Sequence, residues 1–431
     1  MVNIFWFRRD LRLEDNTGLY HALRDGLPVL PVFILDDNII KTLQDPSDAR
    51  ITFIHDEIFR LKNQLELNGS SLCVVYGKPA EIFQKLAKEY TIRAVYANHD
   101  YEPYARDRDT SVEELLRDLN IEFLTYKDQV IFEKNEVLKD SGKPYTVFTP
   151  YSRKWKDLFQ RIRLQSYPSE QLAGHFIKTS PFSLPELESF GFNRGVRMIP
   201  PREIDREVIR NYDLFRDFPG ISGTSRLSVH LRFGTISIRR LVMTAAELNG
   251  VYLNELIWRE FYMMILWHFP HVAHSSFKKD YDRIVWRNNE DEFAAWCQGK
   301  TGYPMVDAGM RELNHTGYMH NRTRMVTASF LTKHLLIDWR WGEAYFAEKL
   351  MDYELSSNNG GWQWAAGTGC DAAPYFRVFN PELQAVKFDP EKKYINQWVP
   401  ELNTPKYPHK IVEHAAARKT AIEAYKSALQ K

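Results

Sequence analysis

Residues 29–35 have the sequence Val29-Leu30-Pro31-Val32-Phe33-Ile34-Leu35, a continuous apolar run, and an amphipathic stretch from Ser47 to Leu67 follows it. Strands that are apolar along their whole length are buried on both faces, which is typical of a parallel sheet covered by helices. The sequence therefore predicts a Rossmann-like α/β domain over residues 1–130, although no GxGxxG fingerprint follows the first strand. The other predicted strands are Ile4–Phe7, Leu72–Tyr76, Ala94–Ala97 and Ile121–Leu124.

The pattern changes twice further along the chain. Prolines interrupt it over residues 131–200, which predicts an interdomain connector on the surface. From residue 201 onward the apolar spacing is helical, which predicts an all-α domain over residues 201–431. The predicted helices of that domain are Ile238–Leu248, Leu253–Trp267, Val306–Leu313, Met319–Leu336, Gly342–Leu350 and Ala415–Ala428.

The composition is that of an ordinary globular protein. The chain has 431 residues, a net charge of +1, and 44% hydrophobic residues, which excludes a mainly disordered chain, a collagen-like chain and a disulfide scaffold. Cys73, Cys297 and Cys370 lie far apart, so they offer no metal-ligand spacing and indicate a reducing compartment. No apolar run approaches the roughly 20 residues of a membrane helix, and Arg8 comes too early for a signal peptide. We expect a cytoplasmic enzyme without a metal site.

Polar residues inside the predicted helices are candidates for chemistry, because burying them without partners costs stability. Glu255 and Trp258 are three residues apart in a helix that is apolar almost all round, so they share a face. Asn321 and Met325 are four apart and share a face in the same way. The sequence thus predicts polar groups at two places in a buried helical domain.

Two further stretches favour ligand binding, and each has a purely structural alternative. Thr224–Ser228 combines hydroxyls with an arginine before a helix, which suits a phosphate but is also an ordinary helix start. Asn358–Trp364 is polar, flexible and aromatic, and its glycines would let a flat ligand approach closely, yet helical tryptophans are mostly core residues. Glu255 could equally pair with a buried arginine, and Arg324 with Asp352 could be a plain ion pair.

These stretches resemble the photolyases and cryptochromes, and specifically the bacterial class I cyclobutane pyrimidine dimer photolyases. The resemblance runs from Phe5 to about Leu402. The motifs that carry it are Phe5–Leu13, Gly223–Leu231, Asn254–Tyr262, Met319–Met325, Asn358–Trp364 and Asp371–Pro381.

The resemblance implies an FAD held in a U shape inside the helical domain. Asn358 would face flavin N5 and stabilise the reduced, charged flavin, and Arg324 and Asp352 would pair beside the ring system. Glu354 stands where the family usually has Asp, so its side chain is one methylene longer. The residues implied to bind the adenine side and the pyrophosphate are Tyr212, Thr224, Ser225, Arg226, Leu227 and Ser228.

The implied activity is light-driven repair of DNA. Photoexcited reduced FAD would give one electron to a cyclobutane dimer, whose carbon–carbon bonds acid–base groups cannot readily break. The dimer would be flipped out of the duplex and held between Trp258 and Trp364, and Glu255 would hydrogen-bond the pyrimidine. The other residues implied to contact the lesion or the DNA backbone are Asn321, Met325, Arg216, Arg259, Arg322, Arg377 and Gln384.

Three tryptophans match the family's electron-transfer chain. Trp362 would be nearest the flavin, Trp339 would follow, and Trp286 would be nearest solvent. Such a chain would pass electrons inward to oxidised flavin, which is a photoactivation step separate from repair. Three core tryptophans without this role would be equally compatible with repair.

Three alternatives differ in activity. A (6-4) photolyase would carry His at the positions of Asn321 and Met325, where this chain has none. A cryptochrome would sense blue light without repair, often with a C-terminal tail and a replaced Asn358. A dark nucleotide-binding enzyme would show no light-dependent activity.

The resemblance also bears on partners. It implies UV-damaged DNA as the substrate, and we expect a monomer that needs no protein partner and no membrane.

A second, antenna chromophore is common in relatives. Folate-binding relatives have an Asn-Glu pair where this chain has Tyr104-Ala105, which argues against folate in that mode and leaves a deazaflavin, a flavin or an empty groove open.

Overall fold

The computed structural model describes residues 1–430, which form two compact units. The first unit contains residues 1–133, 157–204 and 226–244, and the second contains residues 134–156, 205–225 and the described residues from 245 onward. The predicted connector is thus shared between the units, because residues 134–156 pack within the second and residues 157–200 within the first. The domain boundaries at residues 130 and 200 stay a prediction.

The first unit is built on a parallel sheet of five strands in the order β3-β2-β1-β4-β5. The central strand β1 and its neighbour β2 are buried along their whole length, so helices must cover both faces, and the predicted Rossmann-like α/β fold is confirmed. The strands are β1 Val2–Phe7, β2 Val29–Asp36, β3 Cys73–Gly77, β4 Ile92–Asn98 and β5 Glu122–Tyr126.

Helices alternate with these strands, and polar side chains begin several of them. The Asn16 side chain accepts a hydrogen bond from the Leu19 backbone N–H and so caps the first helix, which begins at Thr17. The helices up to residue 161 are α1 Thr17–Arg24, α2 Asp37–Ile40, α3 Ala49–Glu66, α4 Pro79–Glu89, α5 Pro103–Asp118 and α6 Phe148–Arg161.

The second unit is helical, as the sequence predicts. Its core joins buried residues of several helices, among them Met310, Leu331, Trp339 and Trp362. The helices that follow residue 205 in the chain are α7 Arg206–Arg210, α8 Tyr212–Phe215, α9 Ser228–Phe233, α10 Ile238–Leu248, α11 Gly250–His268, α12 Glu290–Cys297, α13 Pro304–Thr316, α14 Asn321–Ser329, α15 Trp339–Lys349, α16 Leu355–Ala366, α17 Pro381–Phe388, α18 Lys393–Trp398 and α19 His414–Leu429.

Two details differ from the sequence prediction. The single helix expected over Met319–Leu336 is α14 followed by a π-helical turn, Phe330–His334. The stretch Asn358–Trp364, expected to be flexible, lies inside α16, because tertiary packing outweighs the low helix propensity of its glycines.

Along residues 1–430, no helix has the length and apolar character needed to cross a bilayer. The same residues contain no group of three or more side chains arranged to hold a metal ion. Cys73, Cys297 and Cys370 are free thiols.

Candidate functional site

A cavity of about 420 Å³ lies within the second unit. Its walls come from α11, α14 and α16, together with the end of α15 and the link that joins it to α16. Twelve of the residues that the sequence marks for cofactor binding, for lesion or DNA contact, or for electron transfer line it: Arg216, Glu255, Trp258, Arg259, Asn321, Arg324, Met325, Asp352, Glu354, Asn358, Trp362 and Trp364.

The α11 wall presents residues at helical spacing. Glu255, Trp258, Arg259 and Tyr262 all line the cavity, so the predicted shared face of Glu255 and Trp258 is confirmed. The Glu255 Oε1 atom accepts a hydrogen bond from Arg216 Nη1 at 2.6 Å, and both side chains stay partly exposed. A carboxylate with an arginine partner is therefore available at the cavity surface.

The α14 wall brings Asn321 and Met325 together, as their spacing predicts, with Nδ2 3.8 Å from the thioether sulfur. Arg324 lines the same cavity and donates through Nη2 to Asp352 Oδ2 at 2.9 Å. Although burial opposes the charge, the Asp352 carboxylate raises the pKa of Arg324, so this guanidinium stays cationic. The predicted Arg324–Asp352 pair is present.

The orientation of Asn358 on α16 is set by a residue that sequence reasoning missed. The Asn358 Nδ2 atom donates to the Glu343 side chain at 2.8 Å and to the Glu343 carbonyl at 3.1 Å. Because both amide hydrogens are used in this way, Oδ1 is left to accept a hydrogen bond from a ligand. Burial raises the pKa of Glu343, while the bond from Asn358 opposes that rise.

Glu354 is held by protein groups at the rim of the cavity. Its carboxylate accepts from Arg259 Nη2 at 3.3 Å and from the Ser357 hydroxyl at 3.1 Å. Glu354 is buried, with 6% of its side chain exposed. The longer side chain at this position is thus accommodated by an arginine on α11.

The predicted pyrophosphate stretch is divided between the units. In the second unit, Ser225 hydrogen-bonds the Tyr252 hydroxyl at 2.8 Å, and Tyr212 packs edge-on against the same ring. Thr224 Oγ1 lies 3.5 Å from the Tyr318 hydroxyl. Residues 226–228, the predicted Arg226, Leu227 and Ser228, belong to the first unit.

Other predicted DNA contacts lie outside the cavity lining. Arg322 donates to Asp217 at 2.6 Å and its guanidinium lies 4.0 Å from the Phe388 ring centre. Arg377 is exposed and lies over Phe379. Gln384 is on α17, where its Oε1 is buried without a hydrogen-bond partner in the protein.

The predicted tryptophan chain shares one aromatic core. Trp362 and Trp339 are 2% and 1% exposed within it, and Trp286 packs against its edge and against Tyr425. The structure adds Trp296, whose ring centre lies 6.0 Å from that of Trp362. No motif marks Trp296, but the count of 11 tryptophans is a signal that more of them could be close together.

Several lining residues were missed by sequence reasoning. They become visible only when the helices pack. These residues are Tyr262, Ala328, Phe346, Leu350, Tyr353 and Ser357, whereas Gly361 is one of the glycines that the sequence marks for close approach of a ligand.

The cavity suits a flat, amphipathic ring system that carries negative charge. Phe346, Leu350 and Ala328 supply apolar surface, whereas Arg324 supplies a cation and Asn358 an acceptor. A Cβ atom added at Gly361 would meet nothing within 4 Å, so the backbone there leaves open space beside the cavity. These properties match the isoalloxazine of a reduced flavin.

Comparisons with known families agree with this geometry. Residues 3–171 match the family described as DNA photolyase, and residues 252–406 match the family described as the FAD binding domain of DNA photolyase. The second match includes the α11, α14 and α16 walls of the cavity.

Whole proteins and a solved structure are also similar over nearly the full chain. The deoxyribodipyrimidine photo-lyase of Halobacterium salinarum is 36% identical over 99% of this chain and 99% of its own length. That of Escherichia coli is 38% identical over 99% of both chains. The crystal structure of a bacterial class III photolyase from Agrobacterium tumefaciens superposes with a TM-score of 0.86 at 32% identity, covering 100% of this chain and 98% of that one.

Proposed function

The chain belongs to the DNA photolyase family, and from that premise we propose that it splits cyclobutane pyrimidine dimers in DNA with the energy of light. It is a lyase and a flavoprotein of that family. When bound and reduced, FAD supplies a photoexcited donor of one electron, which weakens the two carbon–carbon bonds of the dimer. The electron would return once both bonds are open, so the overall reaction would consume no oxidant or reductant.

The residues of this chain hold the two reactants together. Trp258 and Trp364 offer flat surfaces to a flipped-out dimer, and Glu255 offers a hydrogen bond to the pyrimidine ring. All three line the same cavity as Asn358 and Arg324, which would hold the flavin. This common cavity is the observation that carries the proposal, because electron transfer needs donor and acceptor side by side.

Lesion type follows from the side chains at the α14 wall. Asn321 and Met325 line the cavity, and neither can relay a proton as histidine does. The repair of (6-4) lesions needs such a proton transfer, whereas the opening of a cyclobutane ring does not. We therefore assign the cyclobutane dimer as the substrate.

DNA is held through its backbone and without readout of sequence. The residues proposed for this role are Arg216, Arg259, Arg322, Arg377 and Gln384. A dimer distorts its duplex and stacks poorly, so flipping it out costs less than flipping normal bases, which favours damaged sites.

Photoactivation is proposed for the chain Trp286, Trp339 and Trp362. Their common aromatic core supports the assignment. Trp362 also lines the cavity, which supports its proposed role as the member that passes an electron to a bound flavin.

The oligomeric state and the location of the enzyme are also proposals. We propose a monomer acting on UV-damaged DNA in the cytoplasm, where a reducing medium keeps the three thiols free.

A second chromophore would belong to the Rossmann-like domain. Tyr104 donates to Asp36 at 2.7 Å and Ala105 is buried, so neither position supplies the carboxylate of the usual folate mode.

A repair assay on oligothymidine that contains cyclobutane dimers tests the proposal. The FAD-loaded protein is reduced chemically and illuminated with near-UV or blue light, and a dark sample serves as the control. We expect thymine absorbance to recover only in the light. If reduced, FAD-loaded protein gives no recovery, the proposal is wrong and a light-sensing role takes its place.

A further inference from the structure

One face of Trp258 is covered by an aromatic ring from a distant part of the chain. The ring centre of Phe148 lies 3.7 Å from that of Trp258, and the two planes differ by 6°. This is a close face-to-face stack. Since the indole is partly exposed and also lines the cavity, the surface left for a ligand is the part that Phe148 does not cover.

Phe148 is the first member of an aromatic stripe on α6. Phe148, Tyr151 and Trp155 stand at positions i, i+3 and i+7, so they share one helix face. Tyr151 packs against Phe261 of α11 at 5.2 Å, and Trp155 Nε1 donates to Glu260 Oε2 at 2.5 Å. The start of α6 is therefore docked along α11 in a defined register.

Two further contacts restrain the Phe148 ring itself. Phe261, which is fully buried, meets both Phe148 and Trp258 edge-on, with centre distances of 5.9 and 5.5 Å. The backbone N–H of Phe148 donates to Asp371 Oδ2 at 2.9 Å. The ring that backs Trp258 is thus held through its side chain and its main chain.

The second tryptophan proposed for the lesion site, Trp364, has a looser aromatic contact. Trp364 meets Phe379 at 6.5 Å with a tilt of 45°. The two tryptophans are therefore held unequally, and the Trp258 plane is the better fixed of the two. We therefore expect a flat ligand to align against the Trp258 ring.

We propose that Phe148 is a positioning residue for the lesion: by stacking on Trp258 it fixes the indole plane against which the pyrimidine dimer packs. This role rests on the proposed function. Phe148 acts through Trp258, so it affects the capture of damaged DNA more than the binding of FAD or of undamaged DNA. Without Phe148 the Trp258 indole could tilt, and its stacking on the dimer would weaken.

The test compares side chains that fill the same space with and without a flat face. In Phe148→Leu the site keeps apolar volume but loses the ring, whereas Phe148→Tyr keeps the ring. The matched control is Phe293→Leu, because Phe293 also stacks on a tryptophan, Trp296, at 5.8 Å, but neither residue lines the cavity. All proteins are used with FAD bound, and the FAD content of each is measured.

The dissociation constants for dimer-containing and undamaged oligonucleotides are the main readout. We expect Phe148→Leu to weaken binding of damaged DNA by roughly three- to tenfold, since an aromatic pair contributes about 0.5–1.5 kcal/mol. Binding of undamaged DNA and FAD content should stay as in the wild type. In repair kinetics, KM should rise more than kcat falls, and Phe148→Tyr should restore wild-type values.

Three results would overturn the proposal: unchanged binding of damaged DNA by Phe148→Leu, an equal loss for undamaged DNA, or an equal loss in Phe293→Leu. A wild type that prefers damaged DNA and repairs it would leave the proposed function intact in each case. A wild type without that preference would overturn the proposed function, and the role of Phe148 with it.

Discussion

Glu255 is placed to contact the lesion, whereas other residues are proposed to hold FAD. Its carboxylate is bonded to Arg216 at the cavity surface, while the Arg324–Asp352 pair and Asn358 lie on other walls. A hydrogen bond to Glu255 would hold the pyrimidine in the orientation that electron transfer needs. The effect of Glu255 should therefore fall on repair.

We predict that Glu255→Ala retains FAD and lowers the repair yield by roughly tenfold or more, because the pyrimidine loses the hydrogen-bonding partner that orients it. Glu255→Gln, which keeps hydrogen-bonding atoms, should lose less. The measurement is dimers repaired per photon absorbed at saturating DNA, with FAD content determined in the same samples. Loss of FAD, or full repair by the alanine variant, would contradict this assignment.

Glu343 works at the same scale on Asn358. Its carboxylate and carbonyl take both hydrogens of the Asn358 amide, which presents Oδ1 to a donor such as the N5–H of reduced flavin. In Glu343→Leu the amide can turn, so we expect FAD to bind but the reduced flavin to reoxidise faster in air. Glu343→Gln retains an acceptor and is the control. Equal reoxidation rates in all three proteins would show that the amide does not depend on Glu343.

At the scale of elements, α16 shows two neighbouring glycines with different tasks. A Cβ at Gly360 would lie 2.2 Å from the Tyr262 ring, whereas a Cβ at Gly361 would meet no protein atom. Gly360 therefore allows α16 to approach α11. Gly361, which lines the cavity, leaves space for a ligand.

These tasks should separate on substitution. We predict that Gly360→Ala destabilises the protein by about 1–3 kcal/mol through overpacking, seen as a lower Tm without FAD. Gly361→Ala should not lower that Tm, because alanine favours a helix over glycine by about 1 kcal/mol. It should instead reduce the FAD retained after purification. The opposite pattern would mean that the two glycines have been assigned the wrong way round.

The π-helical turn that follows α14 buries a lysine against the C-terminal helix. Lys333 Nζ donates to the Tyr375 carbonyl at 2.8 Å and lies 4.1 Å from the ring centre of Tyr425 on α19. Burial lowers the pKa of Lys333 to about 7, from 10.5 for an ordinary lysine. Between these values the folded protein binds fewer protons than the unfolded chain, so stability rises with pH.

Replacing Lys333 by a residue without an amine should remove this rise of stability with pH. We predict that wild-type stability gains up to about 1.4 kcal/mol per pH unit from Lys333 above pH 7, and that Lys333→Met lacks this gain. The free energy of unfolding in urea, measured between about pH 7 and pH 9, gives the difference between the two proteins. A constant difference across this range would show that Lys333 keeps its proton.

At the scale of the whole molecule, near-zero net charge constrains how DNA is held. Three of the arginines proposed for the DNA backbone are already paired: Arg216 with Glu255, Arg259 with Glu354 and Arg322 with Asp217. Arg377 is exposed and contacts the Phe379 ring. Long-range attraction for DNA should therefore be modest, and Arg377 should carry a visible share of it.

The salt dependence of DNA binding measures that share. We predict that Arg377→Gln reduces the slope of log K against log salt by about 0.9, the value for one phosphate contact, and weakens damaged and undamaged DNA alike. Lys85→Gln removes the same charge from an exposed position on α4 and should leave the slope unchanged. An unchanged slope in the Arg377 variant would exclude a phosphate contact by this residue.

Local periodicity was enough to predict much of this protein. Apolar strands that alternate with helical patterns predict the parallel sheet, because burial on both faces requires residues that are adjacent in sequence to be apolar. The spacing of Glu255 and Trp258, and of Asn321 and Met325, places each pair on one helix face by the same local rule. The long motifs from Gly223 to Pro381 identify the family and, with it, the cofactor.

Tertiary structure alone decided which of these residues meet and what holds them. Phe148 covers Trp258 from 110 residues away, Glu343 orients Asn358 from a separate helix, and Gly360 differs from Gly361 only in what faces it. Such contacts depend on how helices pack, and packing is a property of all the surfaces that close around a side chain. Helical and strand periodicity is encoded by neighbours in the chain, whereas the partner across a packed interface is selected by the fold as a whole.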